Sequence, residues 1–140
     1  MPLYPPPVAG TTDILQTASA VVSTNATTTS ATYADLLSIT LTVSAGSSLD
    51  VYASFCADNS GYGTPLFMQI IVGATVLAAT SLCQYAHPEI GQLYKNTGVL
   101  SAASYTVKLQ WKTASGTARC TALSLAQPEH ASLVVMELGR

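Results

Sequence analysis

From Tyr105 to Lys112 the chain alternates without a break. Tyr105, Val107, Leu109 and Trp111 take one parity, and Thr106, Lys108, Gln110 and Lys112 take the other. A period of two sends these sets to opposite faces of a sheet, whereas a helix would need apolar residues three and four apart. The segment is therefore a strand with one dry face and one wet face, as antiparallel sheets have. Trp111 is the single tryptophan. Burying a side chain of that size hides about 150–250 Å², an upper bound of roughly 4–6 kcal/mol. The turn Ala114-Ser115-Gly116 and the run Thr117–Leu125 follow, and this order predicts a hairpin.

The same pattern recurs along the chain. Leu37, Ile39, Leu41 and Val43 alternate with Ser38, Thr40 and Thr42, and Leu49, Val51, Ala53 and Phe55 alternate with Asp50, Tyr52 and Ser54. Ser44–Ser48 and Asp58–Pro65 collect turn formers between such runs. Leu66–Val72 and Thr75–Cys83 are nearly unbroken apolar halves about Gly73-Ala74, which predicts a hairpin covered on both faces rather than a membrane helix. Thr17–Thr24, Leu93–Leu100 and Ser132–Leu138 complete the strands, and Gln84–Gln92 reads as a loop. About eight or nine short strands near ten-residue spacing, with no helical pattern, predict an all-β antiparallel sandwich of jelly-roll type. The expected core is Leu37, Ile39, Leu41, Val51, Phe55, Val107, Leu109 and Trp111.

Residues 1–12 read as an extended arm, and 13–140 as one sandwich domain. Pro2, Pro5, Pro6 and Pro7 favour a polyproline course, with Leu3 and Tyr4 as anchors ahead of the proline run. The start lacks the basic and apolar regions of a secretory signal. Asn25-Ala26-Thr27 fits a glycosylation acceptor in form only.

Charge narrows the function classes. Charged residues make up 9% of the chain, far below the usual quarter, and the net charge is −2. The five Lys and Arg are scattered singly, so no basic patch for nucleic acid is expected. A surface of hydroxyls, amides and small apolar groups favours self-association. Cys56, Cys83 and Cys120 form no CxxC and are expected to be free buried thiols. His87-Pro88-Glu89 and Glu129-His130 pair carboxylates with imidazoles, but neither spacing is that of a metal motif. The serines lack G-x-S-x-G, and Gly61 and Gly63 do not lead a strand into a helix. Neither an enzyme nor a cofactor is expected. Tyr62, Tyr85 and Tyr94 lie in or beside turns, where exposed tyrosines can anchor contacts, and Tyr62, Tyr85 and His87 are the exposed-loop binding residues expected from sequence.

The run Gly98-Val99-Leu100-Ser101-Ala102-Ala103-Ser104-Tyr105-Thr106-Val107-Lys108-Leu109-Gln110-Trp111-Lys112-Thr113, then Ser115-Gly116-Thr117-Ala118, resembles a recurrent phrase of phage virion proteins. These carry small jelly-roll modules of the C1q and tumour-necrosis-factor type. The closing Leu133–Leu138 strand and the Thr27–Val43 run are similar too, while Ala103 stands where such phrases carry glycine. The resemblance implies a homotrimeric accessory protein on the outer capsid surface, cementing the major capsid protein. The arm, with Leu3, Tyr4, Pro5, Pro6 and Pro7, would then be the docking device. A tail-fibre or spike receptor-binding module is the alternative within the same resemblance. A carbohydrate-binding β-sandwich, with a glycan on Tyr62 or Tyr85, is the alternative from another class.

Overall fold

The computed structural model describes residues 13–61, 64–83, 88–120 and 130–139. The strands among them are β1 (Ile14–Val22), β2 (Ala26–Thr28), β3 (Ala34–Val43), β4 (Ser48–Asn59) and β5 (Pro65–Val72). After them come β6 (Thr75–Cys83), β7 (Glu89–Asn96), β8 (Ala103–Thr113), β9 (Ala118–Cys120) and β10 (Ala131–Leu138). The fold is all-β, as the alternation predicts. The strand beyond the expected eight or nine is the three-residue piece β2, too short to show a period, while β9 is a short part of the expected Thr117–Leu125 run.

Two antiparallel sheets face each other. The front sheet runs β1-β10-β4-β7, lengthened at one end by β9 on β4 and β2 on β9. The back sheet runs β3-β8-β5-β6. The chain enters the back sheet at β3, crosses to the front at β4, and returns for β5 and β6. It crosses again for β7, for β8 and finally for β9 and β10. This repeated wrapping is jelly-roll connectivity.

The core lies between the sheets, and the alternation builds it. Leu49, Val51, Ala53 and Phe55 of β4 and Leu133 and Val135 of β10 point inward from the front. Ile39, Leu41 and Val43 of β3, Met68 and Ile70 of β5, and Val107, Leu109 and Trp111 of β8 meet them from the back. Every residue of the expected core is buried.

Local chemistry fixes the turns. Val72 pairs with Thr75, leaving Gly73-Ala74 as a two-residue hairpin turn, and Gly73 has φ +60°. Turns of this length need a positive φ at the first position, which glycine supplies at least cost. Gly91 of β7 answers a different need: a Cβ there would sit 2.1 Å from Cε2 of Phe55, whose ring fills the space over the backbone. Glu137 closes one end of the front sheet. Its carboxylate accepts the Ser44 N–H at 2.7 Å and the Gln16 side-chain amide at 2.5 Å, joining β10 to the β3–β4 turn and to β1.

Three expectations need correction. The segment after Ala114-Ser115-Gly116 is not the hairpin partner of β8. Both flanks of β8 are taken by β3 and β5, so β9 crosses to the front sheet and pairs with β4. The Asn59 side-chain amide holds that crossing by donating to Thr113 Oγ1 at 2.5 Å and to the Ser115 carbonyl at 3.1 Å. The stretch from Glu89 to Gln92, expected in a loop, belongs to β7, where register with Ala57–Ser54 overrides its turn-like composition. The strand expected over Leu93–Leu100 ends at Asn96, whose side-chain oxygen accepts the Gly98 N–H at 2.7 Å and starts a turn. The hairpin β5–β6 forms as expected. Gln69 of β5 is buried, whereas Val76 and Ala79 of the edge strand β6 are exposed.

Candidate interaction face

The outer face of the front sheet is assembled row by row by register. Thr17, Met136, Asp50 and Asn96 form one row, and Ser19, Val134, Tyr52 and Tyr94 form the next. Val21, Ser132, Ser54 and Gln92 form a third, with Ile90 beyond it opposite Cys56. These rows contain no Lys or Arg, and their one charge is Asp50; a further row at the β9 end, Thr27, Arg119 and Asp58, holds an ion pair in which Arg119 donates to both Asp58 oxygens at 2.6 and 2.9 Å. Asp50 accepts the Asn96 amide at 2.7 Å and the Tyr94 hydroxyl at 3.2 Å, so its charge is spent within the face. Burial and then the Asp50 carboxylate raise the Tyr94 phenol above the ordinary tyrosine value.

The centre of the face is aromatic. Tyr52 and Tyr94 are directly opposite on β4 and β7, and their rings stack with centroids 4.5 Å apart and planes 29° apart. Each keeps a large open surface, 41% and 54% exposed, and Val21 and Ile90 flank them at 50% and 63%. Ser54, Gln92 and Ser132 border the stack along a shallow depression of about 380 Å³. Exposed tyrosines with an apolar body and a polar tip are favoured anchors of protein contacts.

The outer face of the back sheet is built differently. Asp35 receives Lys108 Nζ at 2.6 Å and Gln110 Nε2 at 2.7 Å, and Gln69 Nε2 donates to Gln110 Oε1 at 2.8 Å. Polar groups thus satisfy one another across β3, β8 and β5. The Gln110 hydrogen bond and then Lys108 push the Asp35 carboxyl below the ordinary carboxylate value. Lys112 lies over the rings of Tyr33 at 4.7 Å and Phe67 at 5.2 Å, covering the aromatic surface there.

Leu3, Tyr4, Pro5, Pro6, Pro7, Tyr62, Tyr85 and His87 lie outside the described residues. Tyr94, expected in or beside a turn, lies on the open face of β7. The residue missed is Tyr52, although its place on the wet parity of Leu49–Phe55 was a usable signal.

The remaining reactive groups are enclosed. Cys56 and Cys120 are buried, and burial followed by the neighbouring Cys56 pushes the Cys120 thiol up to about 12. Cys120 Sγ donates to the His130 carbonyl at 3.1 Å, which also accepts the Cys56 N–H at 2.9 Å. Among the described residues no three His, Cys, Asp or Glu side chains group to hold a metal ion. No helix of the described residues is long and apolar enough to cross a membrane.

Comparison with known proteins adds one distant structural likeness. No family model and no curated protein matches the chain. Among solved structures, dimeric latent PorU from Porphyromonas gingivalis is similar at a TM-score of 0.48 and 10% identity. The match covers 72% of this chain and 10% of PorU. At that distance it carries no argument about function.

Proposed function

We propose that this chain is a non-enzymatic structural protein of a phage particle, a homotrimeric decoration protein that binds the outer capsid surface and stabilises the shell of major capsid protein. The observation that carries the reading is the outer face of the front sheet across β1, β10, β4 and β7: aromatic at its centre, lined with aliphatic and hydroxyl side chains, and free of Lys and Arg in those rows. Such a face suits contact with protein better than contact with water. The virion-like phrase Gly98–Ala118 supplies the particle and the number three. The jelly-roll connectivity agrees with that resemblance, and the low charge of the chain agrees with a surface covered in an assembly. Docking to the capsid is assigned to the arm through Leu3 and Tyr4, on sequence grounds.

Electron microscopy of purified particles, paired with pelleting of stripped particles plus added protein, tests this. The reading expects threefold density on the capsid exterior, restored by the full chain and weakened when residues 2–9 are removed. Density at the tail tip would replace decoration with a receptor-binding role. A particle without this protein would overturn the reading.

A further inference from the structure

From the distribution of charge and apolar surface, we infer that copies of this chain meet one another through the outer face of the front sheet, centred on the Tyr52–Tyr94 stack. This rests on reading the chain as a self-assembling shell component, and it names the surface that does the assembling.

Charge permits the contact. The rows around the Tyr52–Tyr94 stack carry no cation, Asp50 is already held by Asn96 and the Tyr94 hydroxyl, and Arg119 at the β9 end of the face is paired with Asp58, so a second copy centred on the stack brings no unpaired ammonium or guanidinium into a dry interface. The back sheet, by contrast, presents Lys108, Lys112 and Asp35. Two copies joined there would have to desolvate a charged network that is already satisfied.

Area points the same way. Four strands spaced about 4.8 Å apart, each contributing about eight residues of about 3.3 Å rise, make a sheet of roughly 500 Å². A stable contact buries about 800 Å² per partner, so the flat face supplies more than half. The apolar surface continues over the adjoining edge, where among the described residues β1 pairs with β10 alone and presents Ile14 and Leu15 at 61% and 51% exposure. That edge has no Lys, Glu or Pro among Ile14–Val22, the residues with which uncovered edges are usually blunted. The opposite edge, β7, carries Glu89 and Lys95. The β1 edge therefore adds apolar surface to the face, and a second copy, itself poor in charge, is the occupant that suits both.

Tyr94→Lys places a cation at the centre of the face, and Thr42→Lys places one at an equally open position on the outer face of the back sheet. Sedimentation equilibrium is measured for the unmodified chain and both variants, with Trp111 emission as the check that each is folded. The expected result is an oligomeric unmodified chain, an unchanged Thr42→Lys, and a Tyr94→Lys whose dissociation constant rises at least about thirtyfold, as loss of a hot-spot residue does. An oligomer that survives Tyr94→Lys, or that Thr42→Lys disrupts instead, overturns the assignment of the face while leaving the proposed function standing. A monomeric unmodified chain overturns both this inference and the trimer. If Tyr94→Lys is misfolded, Ile90→Lys on the same face replaces it, with the same two decisive outcomes.

Discussion

The two outer faces of this sandwich come from the same alternating pattern, yet they end in opposite states. On the back sheet, Asp35, Lys108, Gln110 and Gln69 pair with one another, and Lys112 covers Tyr33 and Phe67. On the front sheet, Tyr52 and Tyr94 stack on each other, Val21 and Ile90 stand open, Asp50 is held inside the face, and the Arg119–Asp58 pair is confined to the β9 end. Both are wet faces by parity. Alternation therefore dictates what leaves water, and it says nothing of what a wet face does there. The chemistry of the side chains across three or four strands decides that.

The largest effect is expected where the faces share a core. Trp111 is 3% exposed between the sheets, so Trp111→Ala should cost about 3–5 kcal/mol in chemical denaturation and weaken both faces together. A loss below about 1 kcal/mol would mean that the core collapses around the gap and that the two faces are not held by one interior.

Gly91→Ala should act on the front face alone. The added methyl meets the Phe55 ring, and overpacking of this kind costs about 1–3 kcal/mol. Because β7 carries Tyr94 and Ile90, its displacement should also lower self-association, read by sedimentation. Unchanged stability and assembly would show that β7 does not depend on the Phe55–Gly91 fit.

Glu137 sharpens the comparison through pH. The Ser44 N–H, then the Gln16 amide, lower its carboxyl below the ordinary value. A lowered folded value stabilises the fold fully above the ordinary carboxylate range, and that stability is lost as pH falls through the folded value. Glu137→Ala should cost about 1–3 kcal/mol at pH 7, because the Ser44 N–H loses its acceptor. The difference from the unmodified chain should shrink in acid. A pH-independent difference would contradict the role of the carboxylate.

The smallest effect belongs to the back face. Lys108 and Asp35 are substantially exposed, and Lys108→Ala should cost no more than about 1 kcal/mol and leave assembly unchanged. A loss of assembly in this variant would reverse the roles of the two faces.

What the sequence makes legible follows from range. The core positions Ile39, Leu41, Val51, Phe55, Val107, Leu109 and Trp111 are set by neighbours two residues away, and alternation reveals them. The Gly73-Ala74 hairpin is legible for the same reason. The β8–β9 crossing is not legible, because whether a turn closes a hairpin depends on whether the flanks of β8 are already occupied. The Glu137 cluster joins residues 93 and 121 positions apart, and no local pattern carries that. The interaction face is intermediate. Tyr52 and Tyr94 both lie on wet parities, but only the β4–β7 register brings them together. Loop aromatics drew attention from sequence because loops usually carry function. Here the open aromatic surface among the described residues lies in mid-strand.

The most direct measurement is hydroxyl-radical footprinting of the unmodified chain at concentrations above and below its assembly midpoint. Side chains are compared across the two faces by mass spectrometry. The account predicts that Tyr52, Tyr94 and Met136 lose reactivity several-fold on assembly, while Tyr33 and Phe67 react at the same rate in both states. Protection of Tyr33 and Phe67 with Tyr52 and Tyr94 unchanged, or equal reactivity of both faces at every concentration, would contradict it.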